Sequence, residues 1–188
     1  MGEALHGVAV VDVETTGLGE AVGRLDGIVQ VGIAWLSATG PQAWSMVCNP
    51  GEPYLRDGRA AEALAVSRLP VLAIRAAPAA QEAAGRMQTL LGRLADAQRG
   101  LTLHAFNAAF DRSFLSQPPW DLDRARWGPC LMRTAAAALR SGGAERIALR
   151  RACEGLGIPF DPTTAHDAAA DALAALRIWQ ELRRRGAL

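Results

Sequence analysis

Residues Val8 to Leu18 read VAVVDVETTGL, and the rest of the chain can be interpreted from this stretch. Its dense run of valines predicts a buried β-strand rather than a helix. Because side chains alternate across a strand, Asp12 and Glu14 share one face with Val10. Two neighbouring buried carboxylates are costly unless cations neutralise them, and paired oxygen ligands suit Mg²⁺ or Mn²⁺. The two acids would also be explained by a strand whose C-terminal end reaches the protein surface at a polar turn.

The composition predicts one globular domain over residues 1–188, because 50% of the side chains are hydrophobic and 21% are charged. No apolar run approaches the ~20 residues of a membrane span, and the first residues do not predict a secretory signal. Three widely spaced cysteines without a CxxC pair favour reduced thiols in a cytoplasmic protein. The net charge of +1 neither supports nor excludes a nucleic-acid substrate.

The hydrophobic pattern of the remaining chain predicts an α/β domain on a mixed sheet. Apolar runs predict further strands at 28–36, 43–48, 101–106 and 130–132. Helical periodicity predicts helices at 59–66, 78–97, 107–115, 145–156 and 165–185, and an alanine-rich helix ends near 141–143. The first three strands are joined by short links, which favours an antiparallel arrangement. Residues 19–27 and 49–53 are predicted to be loops.

A second informative stretch, residues 103–115, reads LHAFNAAFDRSFL. Asn107 is a good helix cap, and Asp111 follows one turn later on the same helical face. Asp111 alone would be interpreted as an ordinary solvated residue. Phenylalanines recur at intervals of four, and packing in the core is the favoured interpretation of this stripe: Phe106, Phe110 and Phe114.

A third stretch, residues 164–173, reads TAHDAAADAL at the start of the last predicted helix. Its small side chains leave the backbone approachable, and a helix N-terminus favours anions nearby. Asp167 could be mistaken for a functional carboxylate, but it is expected to complement the helix dipole in the first turn, and Asp171 follows one turn later. A lone histidine is more often structural, but His166 precedes a carboxylate cluster rather than an apolar face.

Together the three stretches resemble the DEDDh (DnaQ-like) 3′→5′ exonucleases, the family of the proofreading epsilon subunit of DNA polymerase III and of ribonuclease T. The family pattern D-x-E-T-T-G matches residues 12–17, N-x-x-F-D matches 107–111, and H-x-A-x-x-D-A matches 166–172. The motifs stand in the family's order, and the resemblance covers about residues 7 to 182. Each motif alone is a weak signal, whereas three together are a strong one.

Three departures from common family patterns concern substrate contacts. Phe106 stands before Asn107, where histidine or an aromatic residue is common. Arg133 precedes Thr134 where Asp-Thr is common, and Val66–Leu69, which includes Ser67, replaces a His-Gly-Ile element. None of these departures affects a motif carboxylate or His166.

The resemblance implies a ribonuclease H-like fold, in which a mixed five-stranded sheet has three antiparallel strands, then strands parallel to the first, and is flanked by helices. It also implies two Mg²⁺ ions, with Mn²⁺ as a substitute, and His166 as the general base that activates water. The implied metal ligands are Asp12, Glu14, Asp111 and Asp171. The implied contacts to the terminal nucleotide are Thr15, Thr16, Gly17, Leu18, Phe106 and Asn107.

The implied reaction is hydrolysis of phosphodiester bonds at a single-stranded or frayed 3′ end, with release of nucleoside 5′-monophosphates. DNA is the favoured substrate, in a proofreading or repair-like role. An exoribonuclease for RNA processing and a non-catalytic nucleic-acid-binding module on the same fold are the alternatives. A polymerase or a second copy of the chain is a possible partner, and a membrane is not expected to be one.

Overall fold

The computed structural model describes residues 7–19, 26–56, 58–139 and 146–188. The strands in these ranges are β1 (Gly7–Thr15), β2 (Ile28–Ser37), β3 (Gly40–Val47) and β4 (Leu101–Ala105). The helices before β4 are α1 (Glu52–Leu55), α2 (Gly58–Ser67), α3 (Val71–Ala76) and α4 (Ala80–Ala97). The helices after β4 are α5 (Ala108–Leu115), α6 (Leu131–Ala138), α7 (Leu149–Leu156) and α8 (Ala168–Arg184).

The strands form one mixed sheet in the order β3-β2-β1-β4. The first three strands pair antiparallel, as their short links predict, and β4 is parallel to β1. Strand β1 is therefore hydrogen-bonded on both sides and lies inside the sheet. This position explains its run of valines, because a central strand covered on both faces needs apolar side chains on both.

Helices cover the two faces of the sheet, and the alternation along β1 sends its side chains into two different clusters. Val8 and Val10 belong to a core with apolar residues of α6, α7 and α8. Val11 and Val13 belong to a second core with residues of α4 and α5. None of the described helices is long and apolar enough to cross a membrane.

The N-terminus of α8 lies directly against β2 at Gly32. This glycine pairs with Asp12 of β1, and a Cβ atom there would collide with the backbone of Ala168 and Ala169. The absence of a side chain thus allows the helix to approach the sheet beside the aspartate.

The predicted fifth strand at residues 130–132 is wrong, because helix α6 begins at Leu131. In its place a single parallel bridge joins Leu103 of β4 to Trp127. Two hydrogen bonds of 2.8 Å support it, from Leu103 N–H to the Arg126 carbonyl and from Gly128 N–H to the Leu103 carbonyl. The next residue is Pro129, which has no N–H to continue a ladder.

Several boundaries also differ from the predicted ones. The short helices α1 and α3 were not predicted, and β3 begins at Gly40 rather than at 43. Helix α7 begins at Leu149 rather than at 145, and α8 begins at Ala168 rather than at 165. The alanine-rich helix ends at Ala138. Its predicted end at 141–143 and most of the predicted loop 19–27 lie outside the described residues.

The substitution Gly32→Ala is expected to lower the free energy of unfolding by about 1–3 kcal/mol, the usual cost of overpacking. The added methyl group meets backbone atoms of α8, which cannot move aside as a flexible side chain can. Gly85→Ala is the matched control, because Gly85 lies in α4 with open space around it and should gain up to about 1 kcal/mol. Urea unfolding measures both, and equal effects of the two variants would contradict the close approach.

Candidate metal centre

Two carboxylates of the candidate site lie on the β1 face that points toward α8. Asp12 and Glu14 are partly buried and stand opposite Gly32 and Gln30 of β2. Because Val10 on the same face is fully buried, the two acids continue a core-facing row of side chains. The row therefore changes from apolar to acidic as β1 approaches its end.

A third carboxylate comes from α5, which follows β4 directly. Asp111 is only 2% exposed, and its Oδ1 accepts a hydrogen bond of 3.2 Å from the Val13 N–H of β1. Because Val13 stands between Asp12 and Glu14 in the sequence, this bond holds Asp111 beside the strand that carries both acids. Asn107 occupies the N-cap position of α5 as predicted, but its side chain makes no capping hydrogen bond.

The fourth carboxylate and the histidine come from the start of α8. Asp167 is the N-cap of this helix, and its Oδ1 accepts hydrogen bonds from Ala169 N–H at 3.1 Å and Ala170 N–H at 3.0 Å. His166 precedes it with a left-handed φ of 67° and donates its N–H to Asp171 Oδ2 at 3.2 Å. Asp171 is thereby oriented by the residues that lead into its own helix.

The structure brings these groups together at one point. Glu14, His166 and Asp171 each offer a ligand atom, and these atoms all lie within 4.8 Å of one another. Asp12 lies close enough to Asp111 and Asp171 for their charges to raise its pKa. Residues far apart in the chain thus meet where β1, α5 and α8 converge.

Burial and mutual repulsion make the charged forms of these acids unfavourable. Burial, followed by the charges of Asp111, Asp171 and Glu14, raises the pKa of Asp12 well above its usual range. Burial, followed by Asp171, raises the pKa of Glu14 to about 8. Burial raises the pKa of Asp111 to about 7, although the Val13 N–H lowers it. Burial also raises the pKa of Asp171.

This donor set fits a hard divalent cation. Carboxylate oxygens are the ligands that Mg²⁺ and Mn²⁺ prefer, and bound cations relieve the repulsion that raises the pKa values of the acids. The Val13 N–H donates to Asp111 and the His166 N–H donates to Asp171, and these bonds orient the two carboxylates.

Sequence reasoning missed Gln30, a buried polar residue in the middle of β2 that is 4% exposed. Its Nε2 donates to Asp167 Oδ2 at 2.9 Å, and its Oε1 accepts from Ala168 N–H at 3.2 Å. A signal was present in the sequence, since Gln30 is the single strongly polar residue in the apolar run IVQVGIAWL. Its partner on α8 lies more than a hundred residues away, so spacing alone could not identify it.

A cleft of about 540 Å³ opens beside Glu14. Three predicted nucleotide contacts line it, namely Thr15, Gly17 and Leu18, and Leu18 is 73% exposed. Residues not predicted to contact substrate complete the lining: Val13, Asp26, Glu62, Ala63, Val66 and Phe110. The cleft therefore combines exposed apolar surface with the acidic end of β1.

Among the described residues, three other predicted contacts do not line this cleft. Thr16 is 1% exposed and hydrogen-bonds to Gly27, with Thr16 Oγ1 accepting from the Gly27 N–H at 2.9 Å. Phe106 packs in the core beside α6 and α8, and its carbonyl accepts from the Met132 N–H at 2.9 Å. Asn107 is partly buried at the start of α5. Thr16 and Phe106 are therefore buried in this structure, and their contact with a nucleotide stays a prediction.

Removing one charge by Asp12→Asn is expected to stabilise the metal-free protein. About 1 kcal/mol of relieved repulsion corresponds to a rise of about 2–4 °C in Tm for a chain of this size. In the wild type, the folded state holds the proton of Glu14 up to a higher pH than the unfolded state does. The free energy of unfolding should therefore fall as the pH rises from 4.5 toward about 8, the raised pKa of Glu14. Thermal unfolding in chelator from pH 5 to 8 measures both effects.

The matched control is Asp96→Asn, because Asp96 is exposed on α4 away from the site. It should change the stability by no more than about 0.5 kcal/mol at any pH. A lower Tm for Asp12→Asn than for the wild type at pH 8 would contradict the repulsion described above.

No protein-family model and no curated protein matches the sequence. Solved structures do match, and one of them is E. coli exonuclease I in complex with a dT13 oligonucleotide. The TM-score is 0.67 at 19% identity, and the match covers 96% of this chain but 41% of exonuclease I. The chain therefore spans less than half the length of that protein.

Two further matches cover nearly all of this chain. One is the nuclease domain of 3′hExo, a DEDDh family member bound to rAMP, with a TM-score of 0.72, 12% identity and coverage of 99% of this chain and 96% of that domain. The other is a 3′-exonuclease that recognises the histone mRNA stem-loop, with a TM-score of 0.74, 12% identity and coverage of 98% and 66%. The described residues, with their four-stranded mixed sheet between helices, have the fold of DEDDh nuclease domains.

Proposed function

We propose that this chain is a metal-dependent 3′→5′ exonuclease that releases nucleoside 5′-monophosphates from nucleic-acid ends. One observation carries the proposal: four carboxylates and a histidine from three distant parts of the chain converge beside an open cleft. The fold, which solved exonucleases share, supports the same conclusion. The proposal treats residues 1–188 as a single nuclease domain.

Asp12, Glu14, Asp111 and Asp171 would hold two Mg²⁺ ions, for which Mn²⁺ can substitute. When bound, the ions supply Lewis-acid activation of water and stabilise the oxygen that leaves the phosphorus. The protein's part is to keep the acids in place. The Val13 N–H orients Asp111, and the His166 N–H orients Asp171.

His166 is proposed to be the general base that takes the proton from the attacking water. Its side chain is exposed, and a ring nitrogen lies within 4.8 Å of oxygens of Glu14 and Asp171. An exposed imidazole can pass the accepted proton to solvent. The same closeness also suits a metal ligand, so the role of His166 needs its own test.

The cleft is proposed to hold the terminal nucleotide of the 3′ end. Leu18 and Val66 are 73% and 52% exposed on its rim, which suits contact with a base face. The turn that contains Thr15 and Gly17 is closed by a hydrogen bond of 2.6 Å from Thr15 Oγ1 to the Gly17 carbonyl. These residues would contact the faces of the bases and the sugar-phosphate backbone, which differ little between nucleotides. Little sequence preference is therefore expected.

We take single-stranded or frayed DNA as the substrate, as in the neighbour crystallised with dT13. RNA is the second candidate, because another neighbour recognises a histone mRNA stem-loop. A polymerase or a second copy of the chain would be a partner of this activity rather than a requirement for it.

Wild-type protein with Mg²⁺ or Mn²⁺ is expected to release mononucleotides from 3′-labelled single-stranded DNA, and Asp12→Ala is expected to release none above background. Asp12 lies among the other three acids, so its loss removes a central ligand. Parallel assays on DNA and RNA of the same sequence determine the preferred polymer. Asp96→Ala, on the exposed face of α4, is the control and should retain full activity. Equal release by Asp12→Ala and wild type would refute the proposed function.

His166→Ala is expected to keep Mn²⁺ binding while turnover falls about 10²–10⁴-fold, the usual contribution of a general base. The two measurements are Mn²⁺ titration by calorimetry and initial rates at saturating substrate. Unchanged turnover would exclude a role as the base. A parallel loss of Mn²⁺ affinity would instead make His166 a metal ligand.

A further inference from the structure

Gln30 occupies a place where a polar side chain is costly. It lies in the middle of β2, is 4% exposed, and has fully buried Val29 and Val31 as its neighbours. It pairs across the sheet with Glu14, so its side chain points to the same face as the site carboxylates. A buried amide destabilises a fold unless its hydrogen bonds are made.

Both ends of the Gln30 amide are satisfied by the N-terminus of α8. The Ala168 N–H can only donate, so the contact of 3.2 Å identifies its partner as the Oε1 atom. The Nε2 group then faces Asp167 Oδ2 at 2.9 Å. We call these two hydrogen bonds the Gln30 bridge.

The Gln30 bridge contacts Asp167, whose two side-chain oxygens both accept hydrogen bonds. Asp167 Oδ1 accepts from Ala169 and Ala170, and Oδ2 accepts from Gln30. Both oxygens of Asp167 are thus used by the helix cap and by Gln30, rather than offered to a metal ion. One turn later the Asp171 N–H donates to the Asp167 carbonyl at 2.9 Å, which links the bridge to the proposed ligand through helix backbone.

We propose that Gln30 is a positioning residue, and that the Gln30 bridge fixes the start of α8 so that Asp171 and His166 meet Glu14. This inference rests on the proposed function for its consequence in catalysis. It explains why a neutral amide stands at position 30: a carboxylate there would face Asp167 and lie across from Glu14. Gly32, two residues on, brings the same helix end close to the sheet.

The bridge can be tested by exchanging its donor and acceptor. Gln30→Glu places two carboxylates face to face, and Asp167→Asn leaves a single oxygen for both the cap and the bridge. In the double variant, the amide introduced at position 167 can donate to the carboxylate introduced at position 30. That carboxylate still accepts from the Ala168 N–H, while the oxygen of the introduced amide keeps the cap bonds. The exchange conserves the net charge of the pair.

Each single variant is expected to weaken Mn²⁺ binding about 10- to 100-fold, the usual effect of removing a group that orients a metal ligand. The double variant is expected to bind Mn²⁺ at least about tenfold more tightly than Gln30→Glu. Turnover should follow the same order, with a smaller change in KM. Gln42→Glu, the same substitution at an exposed position of β3, is the control and should bind Mn²⁺ like the wild type.

The inference is overturned if Gln30→Glu binds Mn²⁺ as the wild type does, or if the double variant shows no recovery. Failure of the wild type to bind Mn²⁺ or to cleave nucleic acid would instead overturn the proposed function. In that case, thermal unfolding of the same variants still tests whether the Gln30 bridge stabilises the start of α8. Recovery of stability in the double variant supports the bridge, and additive losses exclude it.

Discussion

Like charges forced together at the end of β1 are the constraint on which the other features of the site depend. Burial is the largest cause of the raised pKa at Asp12 and Glu14, and the neighbouring acids add to it. A cluster of this kind destabilises the fold, so the surrounding structure must supply enough stability to offset it. Two hydrophobic cores on opposite faces of the sheet provide that support, since β1 contributes fully buried valines to both.

Three acids at the site accept hydrogen bonds from neutral backbone or amide groups. Asp111 accepts from a backbone N–H of β1, Asp171 from a backbone N–H before α8, and Asp167 from the Gln30 amide. In the parts of the chain that the structure describes, the arginine ion pairs use other acids, such as Glu52, on the surface. An arginine at the centre would neutralise the cluster internally. Neutral donors orient the acids and leave their charge for a bound cation.

The sequence predicts the features that depend on local periodicity or on short motifs. The alternation in β1 places Asp12 and Glu14 on one face, and this face is the one that meets α8. Features that depend on distant partners were not predictable in this way. The phenylalanine stripe divides, because Phe106 packs toward α8 whereas Phe114 joins the opposite core. The expected fifth strand fails because Pro129 interrupts pairing beside β4 and Leu131 begins a helix.

The groups of the site differ in exposure in a way that suits the proposed hydrolysis. Asp111, on α5, is 2% exposed and accepts a hydrogen bond from β1, which suits its proposed role as a fixed metal ligand. His166 is exposed and lies before the α8 cap in a left-handed conformation. A ligand gains from burial because a low dielectric strengthens its attraction to a cation, whereas a base must exchange its proton with water in every turnover. The start of α8 separates these two demands: Asp171 points inward from the first turn, and His166 stays outside it.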